Sequence, residues 1–199
     1  CFQFPVLDYC YKNRLLRGIK AIILYPMNAL ATDQAGRLAK AIFDDPRLQG
    51  QVTAGLFIGR GDKKMHLSTT MTREHIIEDT ETILSNPPDI LLTNFKMLDY
   101  GLLRHNYQRL WNNNRKEKNT LLKYLVLDEL HTYDGAQGTD VANLIRRLKL
   151  KLSLPYEHLC CIGTSATMGS EDDAKDALCK FASDVFGEYF STDSIIDEH

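Results

Sequence analysis

The chain has 199 residues, enough for one domain with a sizeable core, with 44% hydrophobic and 25% charged residues. The composition excludes a disordered chain, and the absence of any apolar run of membrane-spanning length excludes a helical membrane protein. The net charge is −2 but unevenly spread: residues 170–199 carry −7 and the first 169 carry +5, an excess that permits nucleic-acid binding without requiring it. Five cysteines, an odd number with no C-x-x-C pair, argue against a disulfide framework and a zinc site, and for reduced thiols in a cytoplasmic protein.

In chain order, the pattern predicts five short buried strands: 21–25, 52–58, 89–93, 124–128 and 159–163. Each is rich in Ile, Leu or Val without strict alternation, as expected of strands covered on both faces. Helices are expected between them at 29–43, at 72–85 with Thr72 as cap, at 95–104, at 139–151 and at 171–186. Residues 105–120 read as a polar, basic surface excursion, with Trp111 as one anchored aromatic. The alternation implies an α/β domain with a mostly parallel sheet flanked by helices on both faces, whose ligand crevice lies at the carboxyl ends of the strands.

Four stretches fall at those ends. In YLVLDELHTYDG a strand stops on Asp128 and Glu129, with His131 close behind. Two carboxylates there can hold Mg²⁺ and activate a water; the plainer reading is a turn cap. In LYPMNALATDQ, Pro26 and Asn28 separate a strand from a helix, whose free N–H groups suit a phosphate; equally, Asn28 can simply cap that helix. Thr93 and Asn94 repeat the arrangement in LLTNFKMLDYG. In CIGTSATMGS, small hydroxyl residues follow the last strand and suit a βα turn. His66, His75, His105 and His158 show no metal-ligand spacing.

Taken together, the order and spacing of these stretches resemble the first motor lobe of superfamily-two DEAD/DEAH-box helicases. LYPMNALATDQ is similar to motif Ia, DILLTNFKML to motif Ib, VLDELH to motif II (Walker B) and TSAT to motif III. FIGRGD, residues 57–62, falls where related helicases carry a further nucleic-acid-contacting loop that includes Arg60. The HTYDGAQGTDVANLIRRL stretch resembles large bacterial DNA helicases of the Lhr and MrfA type.

The resemblance implies a RecA-like, P-loop NTPase-type sheet that uses ATP and Mg²⁺. Asp128 would bind the metal and, with Glu129, the nucleotide. Glu129 would activate water, and His131 with Ser165 and Thr167 would couple nucleotide state to the nucleic-acid groove. Pro26, Asn28, Arg60, Thr93 and Asn94 would grip one strand, DNA in preference to RNA, without reading its sequence.

The resemblance also exposes a departure. The family's phosphate-binding loop, G-x-x-x-x-G-K-[ST], occurs nowhere in the chain. The expectation is therefore a lobe cut just after that loop, with residues 1–186 forming a partial ATP-binding lobe and 187–199 leading toward a second RecA-like lobe. An exposed sheet edge is expected where a strand is missing. The chain alone is expected to be inactive as an ATPase. The rival readings are a non-catalytic module that binds nucleic acid or a partner protein, an ATPase that translocates without unwinding, and an unrelated Mg²⁺-dependent hydrolase, which leaves three motifs unexplained.

Overall fold

The computed structural model describes residues 2–59, 67–116, 120–165 and 172–196. Five strands form one sheet: β1 (Ala21–Leu24), β2 (Ala54–Phe57), β3 (Ile90–Thr93), β4 (Tyr124–Leu127) and β5 (Cys160–Gly163). All are parallel, in the spatial order β2-β3-β1-β4-β5. β1 is central, with Leu24 opposite Thr93 on one side and Leu127 on the other. Parallel pairing needs long crossovers, and helices fill them: α1 (Gln3–Lys12) precedes β1, then come α2 (Asn28–Asp44), α3 (Thr80–Ser85), α4 (Phe95–Leu103), α5 (Asn112–Lys116), α6 (Gly135–Leu152) and α7 (Asp172–Phe186).

Successive side chains of a strand point to opposite faces, so the strands feed two separate cores. Ile22, Leu24, Phe57, Leu91, Leu125 and Leu127 pack with α4, α6 and α7. Ala21, Ile23, Leu56, Ile90, Leu92 and Val126 pack with α1 and α2. α2 buries Ala31, Ala35, Leu38, Ala39 and Ile42, one helical stripe whose alanines let it lie close to the sheet. α6 buries Val141, Leu144, Ile145, Leu148 and Leu152 in the same way. It is tied to α4 by an ion pair between Arg147 and Asp99.

Two expectations are corrected. Residues 72–79 are not helical: the Thr72 hydroxyl accepts from the Glu74 and His75 amides and closes a local turn. Ile76 and Ile77 are then extended, and Ile77 bridges to Gly55 along the outer edge of β2. Adjacent β-branched residues buried toward opposite cores suit an extended segment better than a helix. The helix starts only at Thr80, capped by Asp79, whose carboxylate accepts from the Thr82 amide at 2.7 Å.

The second correction concerns residues 105–116, which are more than a surface excursion. A 3₁₀ turn, His105–Trp111, leads into α5 and buries Leu110, Trp111 and Asn114. The Trp111 indole donates to the Gly101 carbonyl at 2.7 Å, so it is the anchored aromatic, placed in the core. Asn114 accepts from the Ile19 amide at 2.9 Å and donates to the Ile19 carbonyl at 2.6 Å, copying a strand's hydrogen bonds just before β1 begins.

β5 is an edge strand. It pairs only with β4 among the described residues, and its four residues are only partly covered. The four described cysteines are unpaired, and burial pushes the Cys161 thiol up to about 12.

Candidate functional site

The parallel sheet gathers the carboxyl ends of its strands on one rim, and β1 stitches that rim together. The Tyr25 amide donates to the Thr93 carbonyl and the Leu24 carbonyl accepts from the Asp128 amide, each at 2.9 Å. On one side lie the loops after β1, β2 and β3. On the other lie the ends of β4 and β5.

The first side carries an amide relay. Asn94 donates through Nδ2 to Asn28 Oδ1 at 2.6 Å, and Asn28 donates through its own Nδ2 to the Gly59 carbonyl at 3.1 Å. Asn94 is also the N-cap of α4, its Oδ1 accepting from the Met97 amide at 2.8 Å. Its capping role and its place in the relay therefore coexist. Asn28 does not cap: it is the first residue of α2, after Met27, and its exposed side chain links three loops. Pro26 is half-buried beside it. Thr93 is fully buried and its hydroxyl donates inward to the Phe57 carbonyl at 2.5 Å, so it shapes the rim and does not present its side chain there. Arg60 lies outside the described residues, as does Thr167.

The second side carries the carboxylates. β4 ends at Leu127, and Glu129 takes left-handed backbone angles, φ 53° and ψ 52°. A residue with a Cβ adopts this conformation only where its surroundings hold it. A 3₁₀ turn, Leu130–Thr132, follows, in which the Thr132 amide and hydroxyl both donate to the Glu129 carbonyl at 2.8 Å. Leu130 is buried against Gly163 of β5, where an added Cβ would come within 2.6 Å of its side chain. Glycine there is what lets the turn close onto the sheet.

His131 Nδ1 lies 3.5 Å from a Glu129 carboxylate oxygen and 3.1 Å from the Ser165 hydroxyl. Glu129, His131 and Ser165 are thus brought together, with Asp128 on the same turn. Sequence reasoning gave no role of its own to Thr164, the first residue of TSAT, whose hydroxyl donates to Asp128 at 2.5 Å. Its position between a buried strand and Ser165 was the available signal. It also passed over Tyr133, fully buried with a hydroxyl that has no partner among the described residues. Burial, reinforced by the charges of Asp128 and Tyr25, holds its phenol well above the ordinary tyrosine range. The same causes, burial and then Asp128, raise Tyr25.

The donor set suits Mg²⁺. The ion prefers oxygen, keeps several waters, and is held by one or two carboxylates together with substrate phosphates. Asp128 and Glu129 supply hard oxygen donors at a strand end. No group of three or more metal-ligating side chains occurs among the described residues, so an ion here would rely on phosphate for its remaining ligands.

A five-stranded, all-parallel α/β sheet flanked by helices is the architecture of a RecA-like lobe. The sequence pattern of the DEAD/DEAH box helicase family matches residues 1–175, and the chain belongs to that family. It is 30% identical over 180 residues to the uncharacterized ATP-dependent helicase YprA of Bacillus subtilis, covering 89% of this chain and 20% of that protein. It is 42% identical over 105 residues to the Druantia protein DruE of Escherichia coli, covering 50% of this chain and 5% of that protein. The chain thus spans a fifth or less of these relatives.

Among solved structures it is similar to the DUF1998 helicase MrfA bound to DNA and AMPPNP. The TM-score is 0.65 and the identity 25%, over 95% of this chain and 22% of that one. MrfA bound to DNA alone gives 0.64 and 27% over the same shares. No described helix is long and apolar enough to cross a membrane.

Proposed function

We propose that this chain is the first motor lobe of a DNA helicase or translocase, hydrolysing ATP in the complete protein. One observation carries the reading: two adjacent carboxylates stand at the carboxyl end of β4, the second on a left-handed residue, on the same rim as the loops cross-linked by the Asn28–Asn94 bridge. Asp128 would hold the Mg²⁺ of the nucleotide, which when bound neutralises phosphate charge. Glu129 would orient the attacking water and take up its proton. His131, with Ser165 and Thr167, would couple the carboxylate side to the amide side.

Asn28 and Asn94, with Pro26 and Arg60, would contact the backbone of a single strand, with Thr93 shaping the loop from below. DNA is favoured over RNA because the similar MrfA structures hold DNA. In this reading residues 1–186 are part of the ATP-binding lobe and 187–199 lead to a second RecA-like lobe, in a cytoplasmic protein. The proposal extends to the isolated chain, which would not turn over ATP because its 199 residues contain no G-x-x-x-x-G-K-[ST] sequence to cradle the phosphates.

The test is ATP hydrolysis by the full-length protein with and without single-stranded DNA. Glu129→Gln is expected to lower turnover by about 10²–10⁴-fold, the typical contribution of general-base catalysis, while nucleotide still binds. Strand displacement by the same protein separates unwinding from translocation. Steady turnover by the isolated chain that disappears in Glu129→Gln would overturn the inactivity of the fragment. The absence of a G-x-x-x-x-G-K-[ST] sequence from these 199 residues favours one second reading, a binding module without turnover. A full-length protein that binds DNA but hydrolyses nothing would establish it.

A further inference from the structure

Thr164 follows the last residue of β5, and four hydrogen bonds join it to the turn that carries the carboxylates. Its amide donates to the Leu127 carbonyl at 3.0 Å, and its carbonyl accepts from the Leu130 amide at 2.7 Å. Any residue could make these two. The other two belong to the hydroxyl, which donates to Asp128 Oδ1 at 2.5 Å and accepts from the Glu129 amide at 3.2 Å. A hydroxyl has one proton to give and lone pairs to receive with, so both bonds form at once. The bond to Asp128 restricts rotation of that carboxylate. The bond from Glu129 satisfies the amide of a residue held at φ 53°. One side chain therefore restrains the Asp128 carboxylate and the backbone that carries Glu129.

We propose that Thr164 is a positioning residue for the divalent-cation site: its hydroxyl orients Asp128 toward the metal and holds Glu129 in its left-handed conformation. The proposal rests on the reading that this carboxylate pair serves a metal-bound nucleotide. Hydrogen-bond partners behind a metal ligand fix its orientation, and their loss weakens metal binding even though they never touch the ion. The plainer role is that Thr164 merely ends a strand. That role depends on its backbone and its shape, both of which valine preserves.

The experiment uses the full-length protein as wild type, Thr164→Val, Thr164→Ala and Thr164→Ser. Electron paramagnetic resonance follows Mn²⁺ binding in the presence of ATP, and DNA-stimulated hydrolysis gives kcat and KM. Valine and alanine are each expected to weaken Mn²⁺ binding by about 10–100-fold, the usual cost of losing such a partner. They should lower kcat more than they raise the KM for ATP. Serine, which keeps the hydroxyl, should restore both. If valine lowers the melting temperature, the alanine–serine pair decides, since both lack the methyl group and differ only in the hydroxyl. Mn²⁺ binding unchanged in alanine and valine, or serine as defective as alanine, overturns the role of Thr164. A wild-type protein that binds no Mn²⁺ with ATP fails one step earlier and overturns the reading of the carboxylate pair itself.

Discussion

Lys20 is fully buried just before β1, where an unpaired ammonium would carry a desolvation cost of several kcal/mol. It is met by an ion pair with Asp89 and by donation to the Leu16 carbonyl at 2.7 Å. The second Asp89 oxygen accepts from the Thr53 amide at 2.7 Å and the Thr53 hydroxyl at 3.0 Å. This cluster pins β1, β2 and β3 together at the amino ends of the strands, opposite the crevice. Removing one partner of a buried pair leaves the other charge unmet. Lys20→Met is expected to cost about 3–5 kcal/mol of stability, measured by urea unfolding. A loss under about 1 kcal/mol would mean the pair is solvated and behaves as a surface one.

Among the elements, α3 is short and depends on its cap. The Asp79 carboxylate accepts from the Thr82 hydroxyl at 2.6 Å as well as from its amide, and these two bonds hold its pKa below the ordinary aspartate value. Lowered in the folded state, Asp79 adds stability that is fully present above the unfolded value of about 3.9. That contribution is lost as pH falls through the depressed folded value. Asp79→Ala is expected to cost about 1 kcal/mol at pH 7. The gap between wild type and variant should close as the pH drops below about 4. Unfolding curves taken at a series of pH values check this, and a gap independent of pH would refute it.

At the scale of the molecule, the sheet ends on β5, whose sequence Cys160–Gly163 has no lysine or proline to guard an edge. The outer side of that strand meets no other strand among the described residues. The isolated 199-residue chain is expected to self-associate as its concentration rises, and Cys160→Lys should suppress this. Light scattering across a concentration series reads it out, and a concentration-independent monomer would contradict it. The same edge lies beside the carboxylates, because Gly163 is continuous with Thr164 and packs against Leu130.

The sequence by itself determined the five strands, because runs such as Ala21–Leu24 are too apolar for anything but a buried position and too short for a helix. It determined α2, α4, α6 and α7 within a few residues, because one-sided apolar stripes survive in any tertiary context. It also determined which residues stand at the rim, since parallel strands joined by helices must put their carboxyl ends together. Only the tertiary structure decided that Ile76 and Ile77 extend along β2, because Gly55, the partner of Ile77 that makes extension favourable, is far from it in sequence. Only it decided that Leu110 and Asn114 join Trp111 in the core, since a polar, basic stretch carries no local sign of the cavity it fills. Thr93 turned inward and Thr164 turned toward Asp128 for the same reason. A hydroxyl's role is set by what stands within 3 Å of it, and neither partner is a sequence neighbour.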